Sequence, residues 1–436
     1  MPPSALSGGA NKDPQKPGLD DSARANQSSA SRIPGIHVDR LMIWAMSVEM
    51  SGGAVSTGQA PLGRRIVMYS VMLAIVFVGI EFMSFATITL SKSSGVFYDP
   101  SMVTQNYNAY LKQRNINLGW GPSPADAARH DPLFPFDTRP CLSLFGDSFT
   151  WSTGVADEDA WGSILAAKLK CRVANFGVGG YGTDQAFLRF RSLPAAGTVV
   201  LLNHLSENIL RNINQYRNLI YPGHQFAFKP RFVDRNSGVE LVPTPEVPAS
   251  EIQKFLQDPT PYLANEYFLP GGPSGVQEIK FPFSLTIVKA TLNNYHIHAK
   301  LAGIPRHADF YGPDHPSHAL NVTYGILRSF VLEAAARGQT PIVTLIPTCG
   351  DLKYFIAVGV FPYDRLTKMI AAKGIHYIDF GERIAKRIKG SRPDDLYQVC
   401  SGHFNEVGNR LLAEITFDYL VSDPEIQQRL VADTDG

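Results

Sequence analysis

Four short stretches carry residues that could act together on an electrophilic carbonyl. In the first, Gly146, Asp147 and Ser148 follow an apolar run at 141–145 (CLSLF) and lead toward a helical pattern. A serine at a strand-to-helix turn exposes its hydroxyl at the C-terminal edge of a sheet, near the positive end of the next helix, where a nucleophile is needed. Gly146 permits a tight backbone there. Taken alone, the triplet fits an ordinary turn with a capping serine equally well. In the second, Asn175 to Gly182 reads NFGVGGYG and leaves another apolar run, 173–176. Its glycines bring backbone N–H groups close to whatever occupies the edge, as an oxyanion requires. The pattern superficially fits a dinucleotide-binding turn, but it leaves a second strand and no acidic residue closes the next strand as a ribose partner. In the third, Asn208 follows the run at 199–203 and can donate its amide to the same developing charge. Last, His403, in SGHFNE, precedes the final helical pattern and can serve as general base toward Ser148.

These positions must be brought together by the elements between them. Apolar, β-branched runs at 141–145, 173–176, 199–203, 342–346 and 376–380 predict strands, and helical patterns at 159–170, 184–193, 323–337, 382–389 and 406–421 separate them. This alternation of strands and helices predicts a parallel five-stranded sheet with right-handed crossovers, a three-layer α/β/α sandwich whose ligands bind at the C-terminal strand edge. The long interval between the third and fourth runs holds Pro- and Gly-rich stretches at 243–248 and 270–273. It predicts a structured insertion, at about 213–318, that caps this edge.

An early GDS, an N-x-G-x-x-G turn, an asparagine after the third strand and a late histidine together resemble the SGNH (GDSL-type) hydrolase superfamily, over roughly 140–212 and 341–421. GDSFTWSTGVADEDAW followed by NFGVGGYGTDQA is similar to its exported, often membrane-anchored bacterial branch. The resemblance implies a flavodoxin-like sheet and no cofactor. It implies Ser148 as nucleophile and oxyanion donor, Gly180 (with Gly179 a close rival) and Asn208 as further donors, and His403 as base. The implied activity is that of a serine esterase or O-acyltransferase acting on acyl groups of an envelope carbohydrate or exopolysaccharide, alongside envelope polysaccharide machinery. One position departs from the pattern: where the family places an aspartate shortly before the histidine, this chain has Cys400 and Ser401. Three arrangements fit the departure. They are a Ser–His dyad oriented by a backbone carbonyl, an acid from elsewhere (Asp394, Asp395 or Asp351), and a degenerate site in a non-catalytic carbohydrate-binding or assembly protein.

Average composition hides the segment that decides the compartment. The chain has 436 residues, 44% hydrophobic, with a net charge of +1; this excludes a disordered bulk and a global field drawing it to nucleic acid. Residues 1–36 have almost no large apolar side chains and predict a disordered tail, extended as a cytoplasmic segment to 63. Residues 66–90 carry one charge, Glu81, and as a helix would extend ~37 Å against a hydrocarbon core of ~30 Å. Arg64 and Arg65 before the span, with only Lys92 after it, predict a single-pass anchor over 64–92, a cytoplasmic N-terminus and an extracytoplasmic (periplasmic) domain over 96–436. A cleaved signal peptide and a buried core helix are the alternatives. Glu81 must be neutralised, meet a polar partner, or mark a span centred nearer Leu73.

An exported domain can hold disulfides. Cys349 and Cys400 fall at the same sheet edge, where a bridge would pin the loop of His403; Cys141 and Cys171, both at strand starts, are a second available pair, and unpaired thiols are the alternative. His296, His298, His307, His315 and His318 lack a zinc-like set of carboxylates or cysteines, so no metal is expected; His296 and His298 alternate as on a strand. Tyr216, Tyr221, Phe226, Phe228 and Phe232 suit core packing, or stacking on sugar rings.

Overall fold

The computed structural model describes residues 61–102, 107–122, 127–194, 197–235, 238–388, 390 and 392–432. The tail expected over 1–63 lies, up to residue 60, outside them. The chain divides into two units, Met1–Met68 and Tyr69–Gly436; of the first, only residues 61–68 are described, as the start of a helix.

Among the described residues the strands are β1 (Phe97–Tyr98), β2 (Leu142–Phe145), β3 (Val173–Asn175), β4 (Val199–Leu205), β5 (Arg231–Arg235), β6 (Gly238–Val242), β7 (Gln277–Glu278), β8 (Thr340–Ile346) and β9 (Tyr377–Asp379). Every residue of β2, β3 and β4 is buried, which is why they read as largely apolar runs without alternation: a strand covered on both faces has no solvent side. Five of them form one parallel sheet in the order β3-β2-β4-β8-β9. The chain steps from β2 to β3 in one direction and then returns past β2 to β4. That reversal opens a crevice beyond the C-terminal ends of β2 and β4, the position where open α/β sheets bind ligands. Ser148 follows β2 and Asn208 follows β4.

β4 runs on past the expected residue 203 to take in His204. A buried strand tolerates this imidazole because both nitrogens are satisfied, Nδ1 by Thr183 Oγ1 at 2.7 Å and Nε2 by Tyr311 OH at 2.9 Å. Burial holds its pKa down, to about 3, so it stays neutral.

The helices used below are α1 (Leu62–Leu90), α2 (Ser148–Trp151), α3 (Trp161–Leu169), α4 (Thr183–Ser192), α5 (Phe283–Asn293), α6 (Tyr295–Ala302), α7 (Ala319–Ala336) and α8 (Glu406–Ser422). α3 packs with α8, and α4 with α7. His296 and His298 lie on α6, contrary to the strand expected for them. The side chain of Asn294 caps this helix by accepting from the N–H groups of His296 and Ile297, and Gly303 ends it in the left-handed conformation.

The segment between β4 and β8 carries the β5–β6 hairpin and an aromatic cluster continuous with the core of the sheet. Tyr216, Phe226, Phe228 and Phe255 are buried, with successive ring centroids 4.8 to 5.2 Å apart. These rings pack as core. An ion pair ties the segment to α4: Lys229 and Asp184 are both buried and bonded to one another.

α1 is long and apolar enough to cross a membrane, and most of its apolar side chains are exposed. Glu81 meets a polar partner. Its carboxylate accepts from the N–H groups of Phe283 and Ser284 and from the Ser284 hydroxyl, at the start of α5.

Candidate active site

Ser148 opens α2 because Asp147 caps that helix, accepting from Phe149 N at 2.8 Å. The other oxygen of Asp147 accepts from Asn208 Nδ2 at 3.0 Å and lies 3.4 Å from Arg211 Nη1. Arg211 Nη1 in turn donates to Asn208 Oδ1 at 2.8 Å. The amide of Asn208 is thus fixed at both ends, with one N–H uncommitted among the described residues. Burial pushes the Asp147 carboxyl up, and Arg211 pulls it back.

The glycine turn is clamped to α2. Asn175 donates to Thr150 O at 2.6 Å and accepts from Gly177 N at 3.0 Å, while Val178 N donates to Gly146 O at 3.1 Å. A Cβ on Gly177 would run into Trp151 N and lie 2.8 Å from Asp147 O, so only glycine lets the two backbones approach. Gly180 has φ +77°, and a Cβ there would collide with the Arg217 guanidinium. Gly179 is exposed, and its carbonyl accepts from Trp120 Nε1 at 3.1 Å.

His403 Nε2 lies 2.8 Å from Ser148 Oγ. The imidazole packs on Phe149, ring centroids 4.9 Å apart. Burial holds its pKa below the ordinary imidazole value, the charge of Asp147 opposing and that of Arg211 reinforcing the shift. Its loop is held by Gln398 N donating to His403 O at 2.9 Å and by a Cys349–Cys400 disulfide with a Cα–Cα distance of 5.2 Å. Cys141 and Cys171 form the second disulfide, at the opposite strand ends.

None of the three acids considered for His403 bonds to it. Asp394 pairs with Lys353 and Asp395 with Arg392. Asp351 is fully buried, 2.8 Å from His307 Nε2, and accepts from Ser206 Oγ, Thr348 N and Thr348 Oγ1. Burial works against its charge, but His307 and these hydrogen bonds hold its carboxyl below the usual range. Ser401 is exposed beside the half-buried Cys400.

Ser148, His403 and Gly180 open onto a cavity of about 670 Å³. Sequence reasoning missed the charges on its wall. Glu207 lies 2.5 Å from Arg306 Nη2 and 3.6 Å from Arg211 Nη2, and accepts from the Tyr221 hydroxyl. Glu207 and Arg211 stand four residues apart after β4, a readable helical pair; nothing near Arg306 in sequence announces its role. Arg217 donates to His224 Nδ1 at 2.9 Å and stacks 4.9 Å from the Trp120 ring.

Removing the loop disulfide checks how far this geometry depends on it. Closing a loop of 51 residues contributes about 4 kcal/mol in the chain-entropy account. A Cys349→Ala, Cys400→Ala double variant is expected to lose stability of that order. It should also slow the reaction of Ser148 with a fluorophosphonate by between about ten- and a hundredfold, because His403 is displaced from the Ser148 hydroxyl. The Cys141→Ala, Cys171→Ala variant should lose stability with little change in that rate. Equal losses of rate in the two variants would show that the loop bridge has no special bearing on the site.

No protein-family model matches the chain, and no curated protein does. Among solved structures, it is similar to a lipolytic protein of the G-D-S-L family from Desulfitobacterium hafniense, at 12% identity over 64% of this chain and 98% of that one, with a TM-score of 0.30. It is also similar to a member of the lipolytic G-D-S-L family from Veillonella parvula, at 14% identity over 64% and 96% (TM-score 0.30). A psychrotrophic esterase from a Pseudoalteromonas species gives 12% identity over 64% and 96%, with a TM-score of 0.30. Likenesses of this size leave the chemistry to be read from the residues themselves.

Proposed function

We propose that this chain cleaves or transfers ester-linked acyl groups through an acyl-enzyme on Ser148. The observation that carries the proposal is the 2.8 Å approach of His403 Nε2 to Ser148 Oγ at the mouth of an open cavity. His403 accepts the hydroxyl proton as Oγ bonds to the ester carbonyl carbon. The resulting oxyanion is held by the N–H groups of Ser148 and Gly180 and the free N–H of Asn208. His403 then returns the proton to the departing alkoxide. Water or a sugar hydroxyl, deprotonated by the same imidazole, releases the acyl group. We read the pair as a Ser–His dyad, because Asp351, Asp394 and Asp395 are engaged elsewhere, with the neighbouring Asp147 carboxyl favouring the imidazolium.

An acylated envelope carbohydrate is the proposed substrate, met on the extracytoplasmic side by a domain that α1 anchors, with the N-terminus cytoplasmic and envelope polysaccharide machinery as the partner. Two disulfides support an oxidising compartment. We read the α3–α8 and α4–α7 helix pairs as the outer layers of a three-layer, flavodoxin-like sandwich.

Fluorophosphonate labelling of the full chain tests the proposal. Wild type is expected to label and Ser148→Ala not to; failure of wild type to label would favour a non-catalytic carbohydrate-binding protein. The labelling rate should be level near neutrality and fall only below about pH 6.5, because burial lowers the His403 pKa and the neutral imidazole is the base. A rate that does not fall down to ~pH 4 would remove His403 from that role.

A further inference from the structure

We infer that Phe281 and α5 form a second membrane-embedded element, a short segment that dips into the outer leaflet beside α1. The inference rests on reading α1 as a span, and it adds a lipid-facing surface to the globular domain itself.

Phe281, Leu285, Val288 and Leu292 are 66%, 47%, 51% and 66% exposed. Their spacing of four, three and four residues places the helical ones on a single face, with Phe281 continuing the line. The opposite face is already used: Thr286 and Ala290 are buried, and Ala290 packs with Ile88, Val96 and Phe97. An exposed apolar stripe of this regularity calls for an apolar neighbour.

Contacts with α1 identify that neighbour. Phe281 lies edge-on to Phe77 at 6.2 Å, and Phe283 lies 5.1 Å from Phe85. Phe77, Glu81 and Phe85 recur every fourth residue, along one face of α1. Phe77 precedes the end of the helix at Leu90 by about 20 Å of axial rise, so its level falls within the hydrocarbon of any bilayer that α1 crosses. Phe281 shares that level, and an exposed side chain there faces acyl chains. The charge of Glu81 is met at the same depth, since the first N–H groups of α5 and the Ser284 hydroxyl point at its carboxylate. A spanning helix therefore carries its acid because α5 supplies the donors that lipid lacks. Exposed Lys289, next to Ala290 at the level of Ile88, has a stem long enough to carry its ammonium group to the phosphate layer, while Lys280 beside Phe281 is ion-paired with Glu278.

The test uses the full chain, whose four cysteines are all in disulfides. Single variants Phe281→Cys, Leu285→Cys and Leu292→Cys receive an NBD fluorophore and are reconstituted in phosphatidylcholine vesicles containing doxyl-labelled lipid. Ile75→Cys on α1 and Leu332→Cys on α7, both exposed, serve as lipid and water references. Quenching at 281 and 285 is expected to exceed that at 332 by at least about threefold and to approach that at 75. If position 75 is quenched and the stripe is not, the span stands and the inference falls, the face being covered by a second copy or exposed to water. If position 75 is unquenched as well, the reading of α1 fails and takes the inference with it.

Discussion

His403→Gln is expected to lower kcat/KM for a small ester such as p-nitrophenyl acetate by about 10³ to 10⁴, with kcat carrying the loss and thermal stability nearly unchanged. The imidazole is half-buried and touches the rest of the molecule mainly through Phe149, so glutamine can occupy its place without opening a large void. What it lacks is a basic nitrogen 2.8 Å from Ser148 Oγ. Ser148→Ala should fall to a similar residual rate. The sharper forecast concerns the double variant. A nucleophile and its base act as one unit, so removing both should cost little more than removing either. Steady-state kinetics on the three variants would decide the matter: losses that multiply would mean that the two residues act independently, and the acyl-enzyme route would be wrong.

Lys229→Met is the substitution with the largest expected effect on stability, a loss of about 3 to 5 kcal/mol. Lys229 and Asp184 are both buried, and burial pushes the lysine pKa down and the aspartate pKa up; their mutual contact offsets this most, helped by Arg231 and the Gln185 N–H at the aspartate and by Glu266 at the lysine. Methionine keeps the volume and leaves Asp184 without its counter-charge. Denaturant unfolding of the full chain in detergent would measure the loss. Pairing the change with Asp184→Asn should restore part of it, since the uncompensated charge is then gone. A single variant within about 1 kcal/mol of wild type would show that the pair contributes little. Asp184 lies in the first turn of α4, which follows directly on the glycine turn that presents Gly180, so the destabilised variant should also lose activity.

The sheet was legible because its central strands are covered on both faces. VVLLN and IVTLI can hardly be anything else in an alternating chain. A polar residue inside a strand breaks that pattern, as at His204, whose partners Thr183 and Tyr311 come from elsewhere along the chain. The α6 helix was misread from two alternating histidines, although Asn294 and Gly303 mark its two ends. Ser148, Gly180, Asn208 and His403 could be named because each follows a strand or opens a helix, which fixes its edge of the sheet. The cluster of Glu207 with Arg306, and of Asp351 with His307, could not. Each joins residues about 99 or 44 positions apart, and such pairs exist only once the inserted segment has folded back over the edge.

The pairing of β1 with β7 has a mechanical consequence. Phe97 stands in register with Gln277, whose N–H donates to Val96 O at 3.0 Å, so only residues 91–96 separate the end of α1 from the body of the domain. Even fully extended they would reach about 20 Å, and the turn of helix at Lys92–Ser94 with the Lys92–Asp99 ion pair shortens them further. On the membrane reading, the domain has almost no leash. Its cavity patrols a thin layer above the lipid in one attitude. A small reporter ester can diffuse into that layer from any side, but a polymer must be delivered to it with its acyl groups already facing the opening. Solubilisation in detergent should therefore leave small-ester turnover unchanged while altering the handling of long chains.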